Sequence, residues 1–392
     1  MAAKLIAQPK FFLGAAALSA LALLVLLPQV ACRKANNALA ACRADAPMRF
    51  TVANPENVSR SEIIEVPLDT KLQVSQVLKR DGTPALFQVL DVDGKKTLLV
   101  LAEVSPLATE EYLAAFSQGE QKPTAQALDT CSGRHVPERM DDYAWENDRI
   151  AFRIYGPALG ANPKETSGSG IDVWTKRVSH PIIDKWYAHG DYHRDHGEGL
   201  DAYNVGETRG CGGSGVLMDG KIYSAEVWKT QQTIATGPLR VVFEVTYPPY
   251  RAGDARVTET KRISLDRGSF FNRIQATVQI EGADSVPFAA GIARQKNGEP
   301  PVSGASWAAT MGPEAPHGRI GAAIIMKGSE LALADGHALL VKQAKSGETI
   351  EYFAGACWTR EGSFSSLAPW AEHTQNVAQP KLKPLGVKAT GN

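Results

Sequence analysis

Apolar and polar positions alternate with a period of two between Arg49 and Phe116, in runs such as RFTVANP, EIIEVPLD and ALFQVLDVDGKKTLLVLAEV. This alternation is typical of half-buried strands, and Asp93-Gly94 separates two apolar runs as a hairpin turn would. Residues 47–116 are therefore predicted to form a small antiparallel β-sandwich. The segment 117–139 is polar, contains Pro and Gly and lacks periodicity, so it is predicted to be a linker.

A second set of alternating runs fills residues 140–380, separated by Gly, Asp and Ser turns. This pattern predicts a large antiparallel β-sandwich and, together with the first unit, an all-β fold. Helical periodicity occurs in HPIIDKWYAHG and in FSSLAPWAEHTQNVAQ, where Leu367, Trp370 and Ala371 share one face. No repeat of fixed period occurs, which argues against a propeller or a solenoid. Residues 381–392 are predicted to be a disordered tail.

The N-terminal segment contains a continuous apolar run instead of an alternating pattern. Two lysines precede an uncharged run from Phe11 to Val30, which is the pattern of an export signal within residues 1–42. Cys32 and Cys42 each follow small residues, so either one can be the lipid-bearing first residue of a lipoprotein and attach the chain to a membrane. Plain cleavage near Ala40 and an uncleaved anchor are the alternatives. All three interpretations predict a location in the periplasm or cell envelope.

Charge and cysteine content narrow the class of protein further. The chain has 42 basic and 42 acidic residues, so no net field favours binding to nucleic acid. The remaining cysteines, Cys131, Cys211 and Cys357, are widely spaced and contain no CxxC pair, which argues against a zinc knuckle or a disulfide scaffold. They form either one disulfide with a free thiol or three buried thiols.

The segment from Gly210 to Gly215 reads GCGGSG and matches the letters of a dinucleotide-binding loop. Such a loop must be followed by a helix, whose N-terminus receives the pyrophosphate. Here VLMDGKIYSAEVW follows, with two apolar runs about Asp219-Gly220, and this pattern predicts a hairpin. The glycines are better explained by close backbone approach than by nucleotide binding.

The same glycines close a longer stretch, HGDYHRDHGEGLDAYNVGETRGCGGSG, that begins at His189. His189, His193 and His196 would share one face of a helix, whereas His189, Asp191, His193 and Asp195 would share one face of a strand. Interspersed glycines favour the extended conformation. A divalent ion, Zn²⁺ or Ca²⁺, is one hypothesis, with His189, His193 and Asp195 as ligands. Acid–base chemistry without metal and a purely structural role are the alternatives.

A second dense segment, DDYAWENDRIAFRIYGP, lies upstream, and SGIDVWTKR follows it. Proteins bind sugars by stacking the ring on an aromatic side chain and by bonding the hydroxyl groups to polar side chains. The substrate-binding candidates are Trp145, Glu146, Asn147, Arg153, Trp174 and Lys176. The alternative for the tryptophans is simple burial in the core.

These motifs, with NPENVSRSEIIEVP near the start and YFAGACWTREG near the end, resemble a bacterial family catalogued as a domain of unknown function. The resemblance covers nearly all of the mature chain. Members are exported or lipid-anchored and are often encoded among genes for degradation of pectin-like uronic-acid polymers. The resemblance implies a carbohydrate-related role, and the strand pattern is consistent with a large sandwich of the galactose-mutarotase type.

Cleavage of a uronate sugar by β-elimination needs a base for the C5 proton, a cation for the carboxylate and an acid for the leaving oxygen. The candidates are His189 or His193 as base, Tyr192 or Tyr203 as acid, and Arg209 or Arg153 as the carboxylate clamp. Hydrolysis would need a carboxylate pair from Asp195, Glu198 and Asp201. A mutarotase would use a histidine with a carboxylate, and a glycan-binding lipoprotein would perform no chemistry.

Overall fold

The computed structural model describes residues 47–69, 73–117, 130–163 and 168–390. The predicted export segment, with Cys32 and Cys42, lies outside the described residues. Within the described part of the chain, no helix combines the length and the apolar character needed to cross a membrane.

The N-terminal unit is a small sandwich of two antiparallel sheets. Its strands are β1 (Met48–Ala53), β2 (Arg60–Leu68), β3 (Gln73–Lys79), β4 (Phe87–Val92), β5 (Lys95–Val104) and β6 (Thr109–Ser117). Phe50, Val100 and Tyr112 lie in its core between the two sheets. Asp93 and Gly94 both have positive φ, of 54° and 76°, as a type I′ turn requires, so the predicted hairpin is confirmed.

Both predicted boundaries of the second unit differ in the structure. β7 (Ser132–Val136) lies inside the predicted linker, and it belongs to the second unit because it pairs with the strand that follows it. At the other end, the predicted disordered tail contains β26 (Gly386–Thr390), which pairs with β1. Without this strand β1 would be an edge with unpaired backbone groups, and pairing satisfies them. Residues 118–129 lie outside the described part.

The larger unit is built on a nine-stranded antiparallel sheet. Its strands are β14 (Thr230–Ala235), β15 (Arg240–Thr246), β16 (Tyr250–Ala252), β17 (Ala255–Asp266), β18 (Phe271–Glu281), β20 (Val302–Gly304), β21 (Trp307–Met311), β22 (Ile320–Ile325) and β25 (Thr349–Trp358). Side chains alternate between buried and less buried along β17, as expected of a strand with one face on the core.

Two five-stranded sheets form the opposite layer of the sandwich. The first contains β12 (Cys211–Met218), β13 (Lys221–Tyr223), β19 (Ser285–Ala293), β23 (Glu330–Ala334) and β24 (His337–Lys345). The second contains β7, β8 (Asp142–Glu146), β9 (Ile150–Ile154), β10 (Asp172–Lys176) and β11 (Gly199–Asp201). A parallel bridge between Ile171 and Gly210 joins them. The predicted all-β fold, with a large antiparallel sandwich preceded by a smaller one, is confirmed.

The described residues also contain three short helices. They are α1 (Pro157–Gly160), α2 (Ile183–His189) and α3 (Leu367–Ala378), and a 3₁₀ turn covers Pro137–Arg139. α2 and α3 confirm the two predicted helical segments. α3 buries Leu367 and Trp370, and the Trp370 ring stacks on Phe271 with centroids 5.2 Å apart.

Cys131, Cys211 and Cys357 are all buried free thiols. Burial raises the pKa of each thiol because the thiolate would lose its hydration. Of the two alternatives for these cysteines, the structure therefore shows the thiols, which behave here as small apolar side chains.

The segment from Gly210 to Gly215 runs into β12, which turns at Asp219-Gly220 into β13. The predicted hairpin is thus confirmed, and no helix follows the glycines. Gly212 has φ of +106°, and a Cβ placed on it would lie 2.3 Å from the Cβ of Ala354. Close approach of two backbones explains this glycine.

Replacing Gly212 with alanine should therefore destabilise the fold, by roughly 1–2 kcal/mol for the positive φ and by about 1–3 kcal/mol more for overpacking. Gly220→Ala is the matched control, since Gly220 also has positive φ, +74°, but has no atom within 4 Å of the added Cβ. The free energy of unfolding in urea measures both. Equal losses in the two variants would contradict the packing explanation.

Candidate active site

Strands β8 to β11 are buried on both faces, although β8, for example, carries charged as well as apolar residues. One face carries Tyr143, Trp145 and Phe152 into the main core. The other face carries charged side chains and Trp174, and it is covered by α2 and the following loop, 190–198. Charged groups that would otherwise face water are thereby enclosed, so each one needs a partner.

Glu146 and Lys176 form a buried ion pair on this covered face. The Nζ of Lys176 donates to Glu146 Oε2 at 2.7 Å and to the carbonyl groups of Asn147 and His180. The Glu146 carboxylate also accepts from the backbone N–H groups of Ile182 and Ile183, where α2 begins. The pair therefore anchors the start of α2 on the sheet. Because both charged groups bond other parts of the protein, they are not available to a ligand.

Arg153 is the centre of a second buried cluster. Its Nε and Nη2 donate to Asp172 Oδ2 at 3.0 and 2.5 Å, and Nη2 also donates to Asp201 Oδ2 at 2.9 Å. Asp142 Oδ2 lies 3.6 Å from Nη1. Arg153 and Asp172 are direct cross-strand partners in β9 and β10, so the register of the sheet itself creates the pair.

Three carboxyl groups around one guanidinium leave an excess of potential negative charge. Burial raises the pKa of Asp142 to about 6, although Arg153 and Arg139 act in the opposite direction. Burial, reinforced by Asp172, also raises the pKa of Asp201 well above its usual range. A carboxyl group with a raised pKa keeps its proton closer to neutral pH, which makes Asp201 a candidate proton donor.

A polar cavity of about 460 Å³ opens beside this cluster. Arg139, Arg153, Asp172, Asp201 and Asn204 line it, together with Tyr155, His193 and Tyr203. The Tyr155 hydroxyl donates to Asp172 Oδ2 at 3.2 Å. The buried Tyr203 hydroxyl has no hydrogen-bond partner in the described residues. Burial raises the pKa of both phenols, so both remain donors.

His193 stands at the mouth of the cavity, with 68% of its side chain exposed. Its Nδ1 lies 3.1 Å from the carbonyl oxygen of Asp201, which can only accept a hydrogen bond. In the neutral imidazole the proton is therefore on Nδ1, and Nε2 carries the lone pair. Nε2 is the position from which a base would act on a molecule in the cavity.

Three other predicted catalytic residues shape the loop that carries His193. The Tyr192 hydroxyl accepts from Arg139 Nε at 3.2 Å, and its ring stacks on Trp174. Asp195 pairs with Arg177 and accepts from the backbone N–H groups of Gly197 and Gly199. Glu198 bonds Lys185 and His180, and the bond from Lys185 is the main cause that lowers its pKa to about 2. None of the three lines the cavity.

The predicted sugar platform is buried inside the protein, and the structure differs there from the prediction. Trp145 lies in the core and donates to Asn272, and Trp174 is covered by α2. Asn147 donates to the backbone carbonyls of Asp266 and Ser269. Glu146 and Lys176 are occupied as described above. Of the predicted substrate-binding residues, Arg153 does line the cavity.

Two further predictions also differ in the structure. Arg209 is buried against Ser169 and the backbone of Glu207, away from the cavity. The predicted metal ligands do not meet, since His193 bonds Asp201 and Asp195 pairs with Arg177. The segment from His189 is not extended either, because α2 ends at His189 and turns follow. The structure instead groups His189 with Asp191 and His196.

Arg139, Tyr155 and Asp172 also line the cavity, although they were not among the residues predicted from the sequence. The sequence pattern could have indicated Asp172, because it stands in SGIDVWTKR two positions before Trp174. Residues two apart lie on the same face of a strand, here β10. Tyr155 stands two positions after Arg153, directly beyond the end of β9, and no pattern distinguishes Arg139.

The chain matches a known protein family over most of its length. Residues 52–387 match the family described as "Domain of unknown function (DUF4861)". The chain belongs to the DUF4861 family. A relative of this DUF4861 chain, "Uncharacterized protein P7" of Formosa agariphila, is 34% identical over 316 residues, which cover 76% of this chain and 79% of the relative. The charged cluster and the cavity lie inside the matched region.

Solved structures align with the DUF4861 chain at 10% identity. An alpha-mannosidase from Enterococcus faecalis V583 gives a TM-score of 0.45, covering 88% of this chain and 46% of that one. A protein in the Glycosyl Hydrolase Family 38 from Enterococcus faecalis gives 0.48, covering 88% and 47%. This chain spans about half the length of each, and no functional conclusion follows from alignments at this level.

The internal role of Lys176 leads to a stability prediction. Lys176→Met leaves the Glu146 carboxylate buried without its cation, which should cost about 3–5 kcal/mol in unfolding free energy. Lys185→Met is the control, because Lys185 forms an exposed ion pair worth at most about 1 kcal/mol. Denaturant unfolding measures both variants. A stable Lys176→Met protein with weakened sugar binding would instead favour the substrate-binding role.

The raised pKa of Asp142 predicts a pH dependence of stability. Between its usual pKa and about 6 the folded state keeps a proton that the unfolded state releases, so stability falls as pH rises through this window. Relative to Asp142→Asn, the wild type should lose on the order of 2 kcal/mol between pH 4 and pH 6.5. Unfolding curves at several pH values give this difference. A constant or rising difference would contradict the raised pKa.

Proposed function

We propose that this DUF4861 protein is an exported, carbohydrate-active enzyme that cleaves uronate-containing oligosaccharides by β-elimination at the polar cavity. One observation carries the proposal: a candidate base, a candidate acid and a cation, His193, Tyr203 and Arg153, line the same cavity. The other member of each pair of candidates, His189, Tyr192 and Arg209, does not line it.

The carboxylate of a uronate would be recognised by Arg153 and Arg139. Nη1 of Arg153 has no hydrogen-bond partner among the described residues, although the side chain is buried. A buried unsatisfied donor is costly, and a carboxylate oxygen in the cavity would satisfy it. The raised pKa of Asp201 lowers the negative charge around the two arginines, which favours an anionic ligand.

The reaction would proceed by two proton transfers on the bound sugar. His193 Nε2 takes the C5 proton, and the electron pair of the broken C5–H bond forms the C4=C5 double bond as the C4–O bond breaks. The Tyr203 hydroxyl gives its proton to the leaving oxygen, and the proton now on His193 restores Tyr203 through solvent. Arg153 stabilises the negative charge that builds on the carboxylate during proton removal.

The test is a panel of uronate oligosaccharides, followed by ultraviolet absorbance for the conjugated double bond and by chromatography for new chain ends. His193→Ala and Tyr203→Phe should each lower kcat by about 10²–10⁴-fold, because each removes one acid–base group. The matched controls are His317→Ala and Tyr223→Phe, which lie outside the cavity and should keep wild-type rates.

The alternatives give different products in the same assay. New reducing ends without a double bond would indicate hydrolysis, for which Asp172 and Asp201, both held by Nη2 of Arg153, supply a carboxylate pair. Binding with no product would indicate a glycan-binding protein. Unchanged double-bond formation in His193→Ala would overturn the assignment of the base.

A further inference from the structure

We infer that His189, Asp191 and His196 form a binding site for a divalent transition-metal ion of the Zn²⁺ class. This ligand set differs from the one predicted from the sequence, which combined His189 with His193 and Asp195. The site lies at the end of α2 and on the loop that follows, outside the polar cavity, and it does not rest on the proposed function.

The local fold brings the three residues together. α2 ends at His189 because Gly190 adopts the left-handed conformation, φ 79°, and its N–H bonds the carbonyl of Trp186. The turns that follow return His196 to the end of the helix, where its ring meets that of His189 edge to face with centroids 4.7 Å apart. One ligand atom from each of the three residues then lies within 4.8 Å of the others. Rotation of exposed side chains brings such atoms to the closer spacing of ligands around one ion.

The three side chains are available for an ion, unlike their neighbours. Asp195 and Glu198 are held by Arg177 and by Lys185, respectively. The Asp191 side chain has no lysine or arginine partner in the described residues; His196 Nε2 lies 3.3 Å from its carboxylate and 3.2 Å from its backbone carbonyl oxygen. The side chain of His189 makes no hydrogen bond within the described residues. Within the described residues, the polar contacts of these three side chains are thus with the group itself, and no lysine or arginine competes with an ion for the carboxylate.

The chemistry of the donors selects the class of ion. Two imidazoles and one carboxylate suit Zn²⁺, Co²⁺ or Ni²⁺, whereas Ca²⁺ and Mg²⁺ prefer sets made of oxygen ligands. Three protein ligands leave a coordination position for water or a small ligand. That position would face a small cavity of about 160 Å³, which Trp186, Tyr192 and Glu198 also line.

A bound ion would act on the loop that carries His193. Asp191 and His196 flank this residue on either side, and the ring of Tyr192 contacts both the small cavity and the His193 ring, with centroids 4.7 Å apart. The ion would therefore cross-link the end of α2 to the loop and restrict its motion. Because ions bind the folded state, the melting temperature should rise with added Zn²⁺.

The experiment measures Zn²⁺ bound to the full folded chain after removal of any affinity tag and dialysis, by atomic emission, and measures affinity by calorimetry. Wild type should bind one ion, and Co²⁺ should give a d–d spectrum typical of four or five ligands. His189→Ala and His196→Ala should each weaken binding by at least about tenfold and abolish the rise in melting temperature. Both side chains are exposed, so the variants should fold normally, as circular dichroism without metal will verify.

The controls separate this site from other histidines. His180→Ala removes a nearby exposed histidine that bonds Glu198, and His193→Ala removes the histidine of the sequence-derived ligand set. Both variants should retain one Zn²⁺ with unchanged affinity. Loss of the ion in His193→Ala, or equal binding by wild type and the His189→Ala/His196→Ala double variant, would overturn the inference. These readouts do not depend on any activity, so they stand apart from the test of β-elimination.

Discussion

The buried guanidinium of Arg153 is the interaction on which the rest of the site depends. It bonds carboxylates from β10 and β11 and approaches a third from β8, so one side chain connects four adjacent strands. A buried charge without partners is strongly destabilising. The strand register must therefore hold for the cluster to be tolerated, and the same cluster supplies the polar wall of the cavity. The contacts of Arg153 with the carboxyl groups thus both hold the strands together and form the candidate active site.

α2 covers the charged face of the β7 to β11 sheet and so buries it inside the protein. Its first N–H groups bond Glu146, Lys176 balances that carboxylate, and Trp186 stacks on Trp174 of the sheet with centroids 5.5 Å apart. Because α2 ends at His189, the chain turns back over the sheet and brings His193 to the cavity. The position of His193 thus depends on contacts made by residues that never reach the cavity.

Part of the site could be predicted from the sequence. Arg153, His193, Asp201 and Tyr203 were candidates because titratable groups are dense in their segments, and they line one cavity in the structure. Trp145 was misplaced because a strand with alternating polarity has two faces, and its pattern does not say which neighbour covers each face. For the same reason Glu146, beside Trp145 on the opposite face, was predicted to bind substrate, whereas α2 covers it.

The sequence by itself determined the all-β class, the Asp93-Gly94 and Asp219-Gly220 hairpins and the helical segments α2 and α3, because these features follow from local periodicity and turn chemistry. Tertiary structure decided that the charged face of the β7 to β11 sheet is enclosed, which histidines meet, and that the C-terminal segment becomes β26. These outcomes depend on contacts between residues far apart in the chain, such as Arg153 with Asp201 and Arg49 with Thr390. Many long-range pairings of the strands are conceivable. A local pattern does not show in which of them each buried charge meets a partner of opposite charge.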